Sequence, residues 1–505
     1  MTVQITSNAS KNPLAYTLLI FIASRVIAYK LGVIFDYTLL DYGWQYLDPI
    51  VLSKSVSSLA QNLLYMNGQP PLFNLFLGII LLIFQSHASQ AFTIIYFIFG
   101  LIYSSSICLL MSRLKVDWRV NVIMTSIFII SPACILIESC LFYAYPIVTC
   151  LTVSALCFYE FLENGRFRYA FIGSSCLAAM ALMWSLFHLI WMIFVMIPIF
   201  GVLYYKRDFK KLQKLGIAYI LPLLLVISVY AKNAILFGSF SPSSWFGMSL
   251  AKIVYSRMPS EERKHLVESG EISELSLLDP WLAPSKYPAH YFNFKKTGVP
   301  ALDALRKSVE PATFYNVNYH NLGYNALSKD YLKDAMQVIT HHPKYYLEGV
   351  ASAYLYYHMP TTSWPVFDYG YSQPSRTAIS ELVNFYNVFF YGCFVHVNPS
   401  SQGVPDKDQI TYYGVSYSLL VALPILLIYG FYLAVKNFRE QSLEYSALIS
   451  FFCLNILFVG VFCNLIEIGE SQRYRFSVDA FYLILGGLMI SDIVTRFSNR
   501  KHDTK

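Results

Sequence analysis

Eleven blocks of apolar residues run through the sequence, and they constrain its fold more than any other feature. They cover residues 14–35, 72–84, 91–111, 120–137, 141–162, 169–186, 188–205, 215–236, 412–435, 445–463 and 476–494. A helix of about 20 apolar residues spans a hydrocarbon core of about 30 Å. With 13% charged residues, the chain is also too poor in charge for a soluble domain, where about a quarter is usual. The sequence therefore predicts an all-α polytopic membrane protein.

Clusters of Lys and Arg orient these blocks, because cytoplasmic loops carry an excess of positive charge. The clusters lie at 113–119, 166–168, 206–214, 436–439 and 496–501. Block 72–84 is shorter than the roughly 17 residues that a span needs. If this block does not cross the membrane, all of the clusters lie in the cytoplasm. We interpret 70–84 as a juxtamembrane or re-entrant helix that returns to the outer side. A bundle of ten transmembrane helices follows, with both termini in the cytoplasm.

The same topology divides the chain into three regions. Residues 1–237 form an N-terminal transmembrane module that contains the first external loop, 36–90. Residues 238–411 form a long external loop region, and residues 412–505 contain the C-terminal transmembrane helices and a cytoplasmic tail. The chemistry of the protein is expected in the external segments.

Acidic residues follow the first block closely. Asp36, Asp41 and Asp48 lie just beyond it. A carboxylate beside the membrane surface can act as a general base towards a hydroxyl group or as a metal ligand. Equally, each of the three can cap a helix or sit in water, as most surface charges do.

Two arginines lie at the outer mouth of the last block, against the general charge bias. Arg473 and Arg475 are close to Glu467 and Glu470. Guanidinium groups match phosphate oxygens bidentately, so a bound phosphate is one explanation. Pairing with the two glutamates, or extension of the side chains to lipid head groups, is the other.

Two further residues stand out by their position. Trp245, in the long external segment, either anchors the chain at the membrane interface or stacks on a sugar ring. Arg25 lies deep inside the first block, where a charge is costly unless it is paired. We expect Arg25 to face the interior of the bundle.

Taken together, these elements resemble the GT-C integral membrane glycosyltransferases, among them protein O-mannosyltransferases and aminoarabinose lipid A transferases. The likeness covers the architecture of the chain and rests on three short elements. They are the acidic first external loop, the Gln69-Pro70-Pro71-Leu72 sequence, and the late segment from Glu470 through Arg473 to Phe476. The resemblance implies transfer of a sugar from a polyprenyl-phosphate donor on the non-cytoplasmic side of the membrane.

The resemblance also assigns expected roles to residues. The first-loop acid of the family is the catalytic base, and here that role falls on Asp48 or Asp41. The Asp-Glu pair that the family often carries directly after the first span is missing, so the choice between the two stays open. Arg473 and Arg475 match the donor-phosphate cations. The remaining expected substrate-binding residues are Glu470, Trp245, Gln69 and Tyr143, which with Tyr145 matches a site-lining turn only loosely.

The expected partners are a polyprenyl-phosphate-linked sugar, a lipid, glycan or protein acceptor, and membrane lipids, but no nucleic acid. No cofactor or metal motif is present in the sequence, and whether a divalent cation takes part is left open. A membrane transporter or lipid flippase is the alternative function, although the two halves of the chain show no obvious repeat. The long external segment has no usable N-x-S/T sequon, which favours a bacterial plasma membrane over the endoplasmic reticulum.

Overall fold

The computed structural model of the protein describes residues 12–41, 47–304, 317–367, 373–393 and 415–503, without the side chains at 41, 304 and 497–503. The described part is all-α, and its one β-type contact is an isolated bridge between Asp36 and Cys140. The first half contains helices α1 (Pro13–Leu31), α2 (Pro49–Ser53), α3 (Val56–Tyr65), α4 (Leu72–Phe84), α5 (Ala88–Arg113), α6 (Trp118–Ile130), α7 (Pro132–Glu138), α8 (Ala144–Asn164), α9 (Phe167–Met183), α10 (Leu189–Tyr205) and α11 (Phe209–Phe237).

The second half begins with short helices and ends in long ones. It contains α12 (Phe246–Tyr255), α13 (Ser260–Glu268), α14 (Pro300–Ala304), α15 (Gly323–His341), α16 (Pro343–Tyr357), α17 (Gln373–Ala378), α18 (Ser380–Phe389), α19 (Tyr417–Arg439), α20 (Leu443–Ile466), α21 (Ser471–Phe476) and α22 (Asp479–Asp503). Helices α12 and α15 carry a hydrophobic core of their own, separate from that of the long helices.

Six helical stretches in the described part are long and apolar enough to cross a membrane, or seven if the bent pair α6–α7 is one span. They are Pro13–Leu31, Leu72–Arg113, Ala144–Asn164, Phe209–Phe237, Tyr417–Arg439 and Leu443–Ile466. Helices α9 and α10, with 17 residues each, are apolar but shorter. The prediction of a polytopic helical protein is confirmed, and each of the ten predicted spans coincides with a helix or with the α6–α7 pair.

Two predicted blocks have internal structure that the apolar pattern did not show. Block 120–137 is broken at Ser131–Pro132, where α6 and α7 meet at 56°, because proline cannot continue the helical hydrogen bonding. Block 72–84 forms α4, and Phe76 of α4 packs on Phe92 of α5 with ring centroids 5.8 Å apart. The chain therefore bends between α4 and α5, at residues 85–87, and the re-entrant path of 70–84 stays a prediction.

The basic clusters meet at one end of the helix bundle. Arg113 at the end of α5 pairs with Glu160 of α8 at 2.6 Å, and Lys206 at the end of α10 pairs with Glu444 of α20. Lys214 of α11 donates to the Gly165 carbonyl at 3.0 Å. These contacts place the Lys- and Arg-rich ends of several helices together, as the topology requires.

A buried ion pair joins α1 to α7. The Arg25 guanidinium donates to both carboxylate oxygens of Glu138 at 2.6–3.0 Å and to the Ile129 carbonyl at 2.7 Å. Tyr145 donates to the same carboxylate at 2.6 Å. The side chains of Arg25 and Glu138 are 10% and 8% exposed, so the prediction that Arg25 faces the bundle interior is confirmed.

Glu138→Gln is expected to lower the free energy of unfolding by about 3–5 kcal/mol, because it leaves the Arg25 charge buried without its counter-ion. Thermal unfolding in detergent would measure the loss. The double variant Arg25→Leu/Glu138→Leu removes both charges and is expected to be much closer to the wild type in stability. Equal losses in the single and double variants would contradict this account.

Candidate active site

Asp36, the first acidic residue after α1, is fixed in place by the fold. Helix α1 ends at Gly32, whose φ of +105° favours glycine. Four residues later the Asp36 amide donates to the Ser139 carbonyl, and the Leu141 amide donates to the Asp36 carbonyl, both at 2.7 Å. This bridge ties Asp36 to the connection between α7 and α8. Its carboxylate accepts hydrogen bonds from the amide and the hydroxyl of Thr38.

Asp36 lines a cavity of about 1480 Å³, which is larger than the roughly 300–1,000 Å³ of most small-molecule sites. The cavity is lined by residues of the long helices and of the region from α12 to the chain that follows α16. Part of its lining consists of large apolar side chains that are 39–67% exposed, namely Ile190, Phe240, Phe246 and Phe462. Ile190 on α10 and Phe462 on α20 belong to apolar helices, and exposed apolar side chains of such helices are compatible with lipid acyl chains. The cavity therefore combines a lipid-compatible wall with a polar wall that contains Asp36.

A guanidinium surrounded by aromatic rings forms another part of the polar wall. Arg473 of α21 lies 4.8–5.6 Å from the centroids of five rings, which belong to Phe142, Tyr143, Trp184, Trp364 and Tyr474. It donates to the Tyr143 hydroxyl at 3.1 Å and to the Glu470 carboxylate. Its Nε atom is buried and has no hydrogen-bond partner among the residues that the structure describes.

Two ion pairs lie side by side at this wall. Besides Arg473 and Glu470, Lys252 of α12 pairs with Glu467 at 2.6 Å. All four side chains line the cavity. Burial alone would lower the pKa of Lys252, but the carboxylates of Glu467 and Glu470 raise it. Burial likewise would raise the pKa of Glu470, but Arg473 and Lys252 lower it below 4.5. Lys252, Glu470 and Arg473 therefore keep their charges at neutral pH.

The lowered pKa of Glu470 predicts an acid-sensitive contribution to stability. The ionised carboxylate stabilises the fold fully above its unfolded-state pKa, and this contribution is lost as the pH falls through the lowered folded-state value. Glu470→Gln is therefore expected to make the melting temperature less dependent on pH between about 5 and 3. Thermal scans in detergent across this range measure the slope. Glu440→Gln, at the opposite end of the bundle, is the control and is expected to retain the wild-type slope.

Several of the residues that the sequence singled out share this cavity. Gln69, Tyr143, Trp245, Glu470 and Arg473 all line it. Gln69 accepts a hydrogen bond from Ser185 at 3.4 Å. These residues come from the start of α8, the start of α12, α21 and the segment before α4. Their roles in binding substrate stay predictions.

The other singled-out residues lie elsewhere. The Asp48 carboxylate accepts a hydrogen bond from the Ile50 amide at 2.8 Å and caps α2, and Asp48 does not line the cavity. The side chain of Asp41 lies outside the described residues. Tyr145 is buried against Glu138 in the bundle. These placements favour Asp36 over Asp48 as the carboxylate that faces a substrate.

Arg475 is held by acceptors from the protein itself. It donates to Asp479 at 3.0 Å, to the Met359 carbonyl at 2.7 Å and to the Thr361 hydroxyl at 3.1 Å. It is 1% exposed and does not line the cavity. This geometry favours a structural role, in which Arg475 anchors α21 to the chain that follows α16.

The described residues contain no group of three or more His, Cys, Asp or Glu side chains that could hold a metal ion.

The structure adds Asp36 to the acids that the sequence proposed as the base. A signal for it existed in the sequence, because Asp36 is the acid nearest to the end of the first span.

No protein-family model matches the chain, and no curated protein sequence matches it. Among solved structures, it is similar to the archaeal oligosaccharyltransferase AglB from Archaeoglobus fulgidus in complex with an inhibitory peptide and a dolichol-phosphate. The identity is 14% over 97% of this chain and 52% of that chain, with a TM-score of 0.41. An Archaeoglobus fulgidus oligosaccharyltransferase tethered with an acceptor peptide is also similar, with 13% identity over 94% of this chain and 49% of that one and a TM-score of 0.33.

The chain thus spans about half the length of these two proteins.

Proposed function

We propose that the protein is a membrane glycosyltransferase that moves a sugar from a polyprenyl-phosphate donor to an acceptor on the non-cytoplasmic side of the membrane. The observation that carries the proposal is the large cavity. Exposed apolar side chains, the Asp36 carboxylate and the Arg473 guanidinium, which is surrounded by aromatic rings, all line it. A polyprenyl-phosphate sugar needs an apolar surface for its polyprenyl chain and a cation for its phosphate. Transfer of its sugar also needs a base for the acceptor hydroxyl. A bacterial plasma membrane is the proposed location.

The lining residues suit both halves of the reaction. Asp36 accepts the proton of the acceptor hydroxyl, whose oxygen then forms a bond to the anomeric carbon of the sugar. The bond between that carbon and the phosphate oxygen breaks, and the electron pair leaves with the phosphate. Arg473 lies at the cavity wall beside Glu470, and its guanidinium charge stabilises the departing phosphate. Because the guanidinium lies among aromatic rings, little water competes for it.

The direct test is turnover of donor lipid. The purified full chain in detergent would be incubated with a panel of radiolabelled polyprenyl-phosphate sugars, and release of label to water or to an acceptor extract would be counted. We expect at least one donor to be turned over. If none is, and vesicles that contain the protein instead move a labelled polyprenyl phosphate between leaflets, the transferase proposal fails and the flippase alternative replaces it.

A further inference from the structure

A second polar region of the cavity takes no part in the chemistry proposed above. It is contributed by α13 and by the segment that follows it, and its lining residues include Arg263, Asp279 and Trp281. These residues come from the long external segment, whereas Asp36 and Arg473 flank the long helices. The region is therefore placed to hold a molecule that reaches the cavity from the aqueous side.

Residues 278–282 within this region are held rigidly by tyrosine hydroxyl groups. Each of four tyrosines donates a hydrogen bond to a backbone carbonyl of the segment at 2.7–3.2 Å. The pairs are Tyr331 with Leu278, Tyr287 with Asp279, Tyr319 with Trp281, and Tyr324 with Leu282. The Tyr287 hydroxyl also accepts a hydrogen bond from the Leu282 amide at 3.1 Å. So many contacts to five residues fix the position of the side chains that the segment carries.

The segment holds Trp281 in a backbone conformation that large side chains avoid. Its φ is +73°, in the left-handed region where glycine is the usual residue. The indole packs edge to face on Trp245, with ring centroids 5.0 Å apart, and lies 6.0 Å from the Tyr319 ring. Strained residues persist where their surroundings over-determine them, and they cluster at binding sites. Trp281 is half-buried and lines the cavity.

A hydrogen-bonding pair lies beside this ring. Asp279, two residues before Trp281, accepts a hydrogen bond from Arg263 at 3.1 Å, and its side chain is 71% exposed. The pair offers carboxylate acceptors and guanidinium donors next to an aromatic face. A sugar ring is complementary to this arrangement, because it presents C–H groups on its faces and hydroxyl groups at its edge. A peptide that binds by strand addition needs an exposed strand edge, and the described lining contains no strand.

We propose that Trp281, Asp279 and Arg263 form a carbohydrate subsite for the acceptor, so that the acceptor is itself a glycan or a glycolipid. This inference rests on the proposed glycosyltransferase function and names the acceptor class for the same cavity. The sugar stacks on the indole of Trp281, and its hydroxyl groups bind Asp279 and Arg263.

Binding of sugars without turnover tests the subsite. Saturation-transfer NMR and calorimetry on the full chain in detergent would use three probes: chitotriose, mannotriose and maltotriose. At least one is expected to bind, and Trp281→Ala and Trp281→Gly are each expected to weaken it about tenfold or more. Trp281→Phe keeps an aromatic face and is expected to retain most of the affinity. Phe389→Ala, which removes a 71% exposed ring that does not line the cavity, is the control and should bind as the wild type does.

Stability separates a binding role of Trp281 from a structural one. Glycine adopts a φ of +73° without strain, so the Gly variant is expected to melt at a higher temperature than the Ala variant while binding the sugar no better. If sugar affinity follows the melting temperature across the variants, the loss reflects folding and the subsite is wrong.

The outcome is separable from that of the proposed function. Hydrolysis of a donor lipid without binding of any trisaccharide keeps the transferase and overturns the subsite. Trisaccharide binding that depends on Trp281, without turnover of any donor, keeps the subsite and overturns the transferase. Transfer of the sugar to a peptide, weakened by Trp281→Ala while no trisaccharide binds, also overturns the carbohydrate subsite.

Discussion

Asp36→Asn is expected to lower the rate of sugar transfer by a factor of about 10²–10⁴, the usual contribution of a general base. The amide keeps the size of the side chain and can still accept the hydrogen bonds of Thr38, but it cannot take a proton from the acceptor hydroxyl. Binding of the donor lipid should change little, because the polyprenyl chain and the phosphate contact other residues. Single-turnover transfer from a radiolabelled polyprenyl-phosphate sugar, measured on protein of matched melting temperature, checks the prediction.

Asp48→Asn is the matched control for Asp36→Asn. Both variants neutralise a buried aspartate between α1 and α2, but Asp48 caps α2 and does not line the cavity. Asparagine is about as good a helix cap as aspartate, so the Asp48 variant should transfer sugar at close to the wild-type rate. A large loss in Asp48→Asn with none in Asp36→Asn would return the catalytic role to Asp48, one of the two residues that the resemblance suggested.

The helices could be predicted from the sequence because apolar length is a local property. Each span needs only about 20 consecutive residues that avoid water, and each predicted span matches a helix or the α6–α7 pair. The bend between α6 and α7 also had a local signal, Pro132 after the capping residue Ser131. The apolar pattern alone did not predict the bend, because proline is tolerated within membrane helices.

The carboxylate that we propose as the catalytic base could not be chosen from the sequence in the same way. Asp36, Asp41 and Asp48 lie within 13 residues and have similar neighbours in the sequence. What distinguishes Asp36 is its backbone bridge to Cys140, about a hundred residues further along the chain. The bridge depends on the packing of α1 against α5 and α6, together with the Arg25–Glu138 ion pair. No local pattern contains that information.

The sequence could not distinguish the roles of the two arginines of α21 either. The sequence singled out Arg473 and Arg475 together, because both lie at the outer mouth of the last span. Residues two apart on a helix point about 200° apart, so the two side chains cannot face one cavity. Arg473 lines the cavity with Tyr143 and Glu470, whereas Arg475 binds Asp479 and the residues after α16. Only the packing of α21 shows which of the two faces the cavity.

Replacing the guanidinium of Arg473, which is surrounded by aromatic rings, is expected to slow sugar transfer strongly. Arg473→Gln with Glu470→Gln should lower the transfer rate by about 10²–10³, as loss of a preorganised donor to a developing negative charge does elsewhere. The double change avoids leaving the Glu470 carboxylate unpaired, which Arg473→Ala alone would do. Glu470→Gln by itself is expected to keep most of the activity, because Arg473 retains its hydrogen bond to Tyr143 and its aromatic surroundings. Donor turnover in detergent with the three proteins measures both effects.

Arg475→Lys separates this effect from the general loss of a buried arginine. The lysine keeps the charge beside Asp479 but cannot replace every hydrogen bond of the guanidinium, so we expect a lower melting temperature. Transfer per folded molecule should stay near the wild-type value, because Arg475 does not line the cavity. If Arg475→Lys abolished transfer in folded protein, and the Arg473→Gln/Glu470→Gln double variant did not, the donor phosphate would have to bind at the other face of α21.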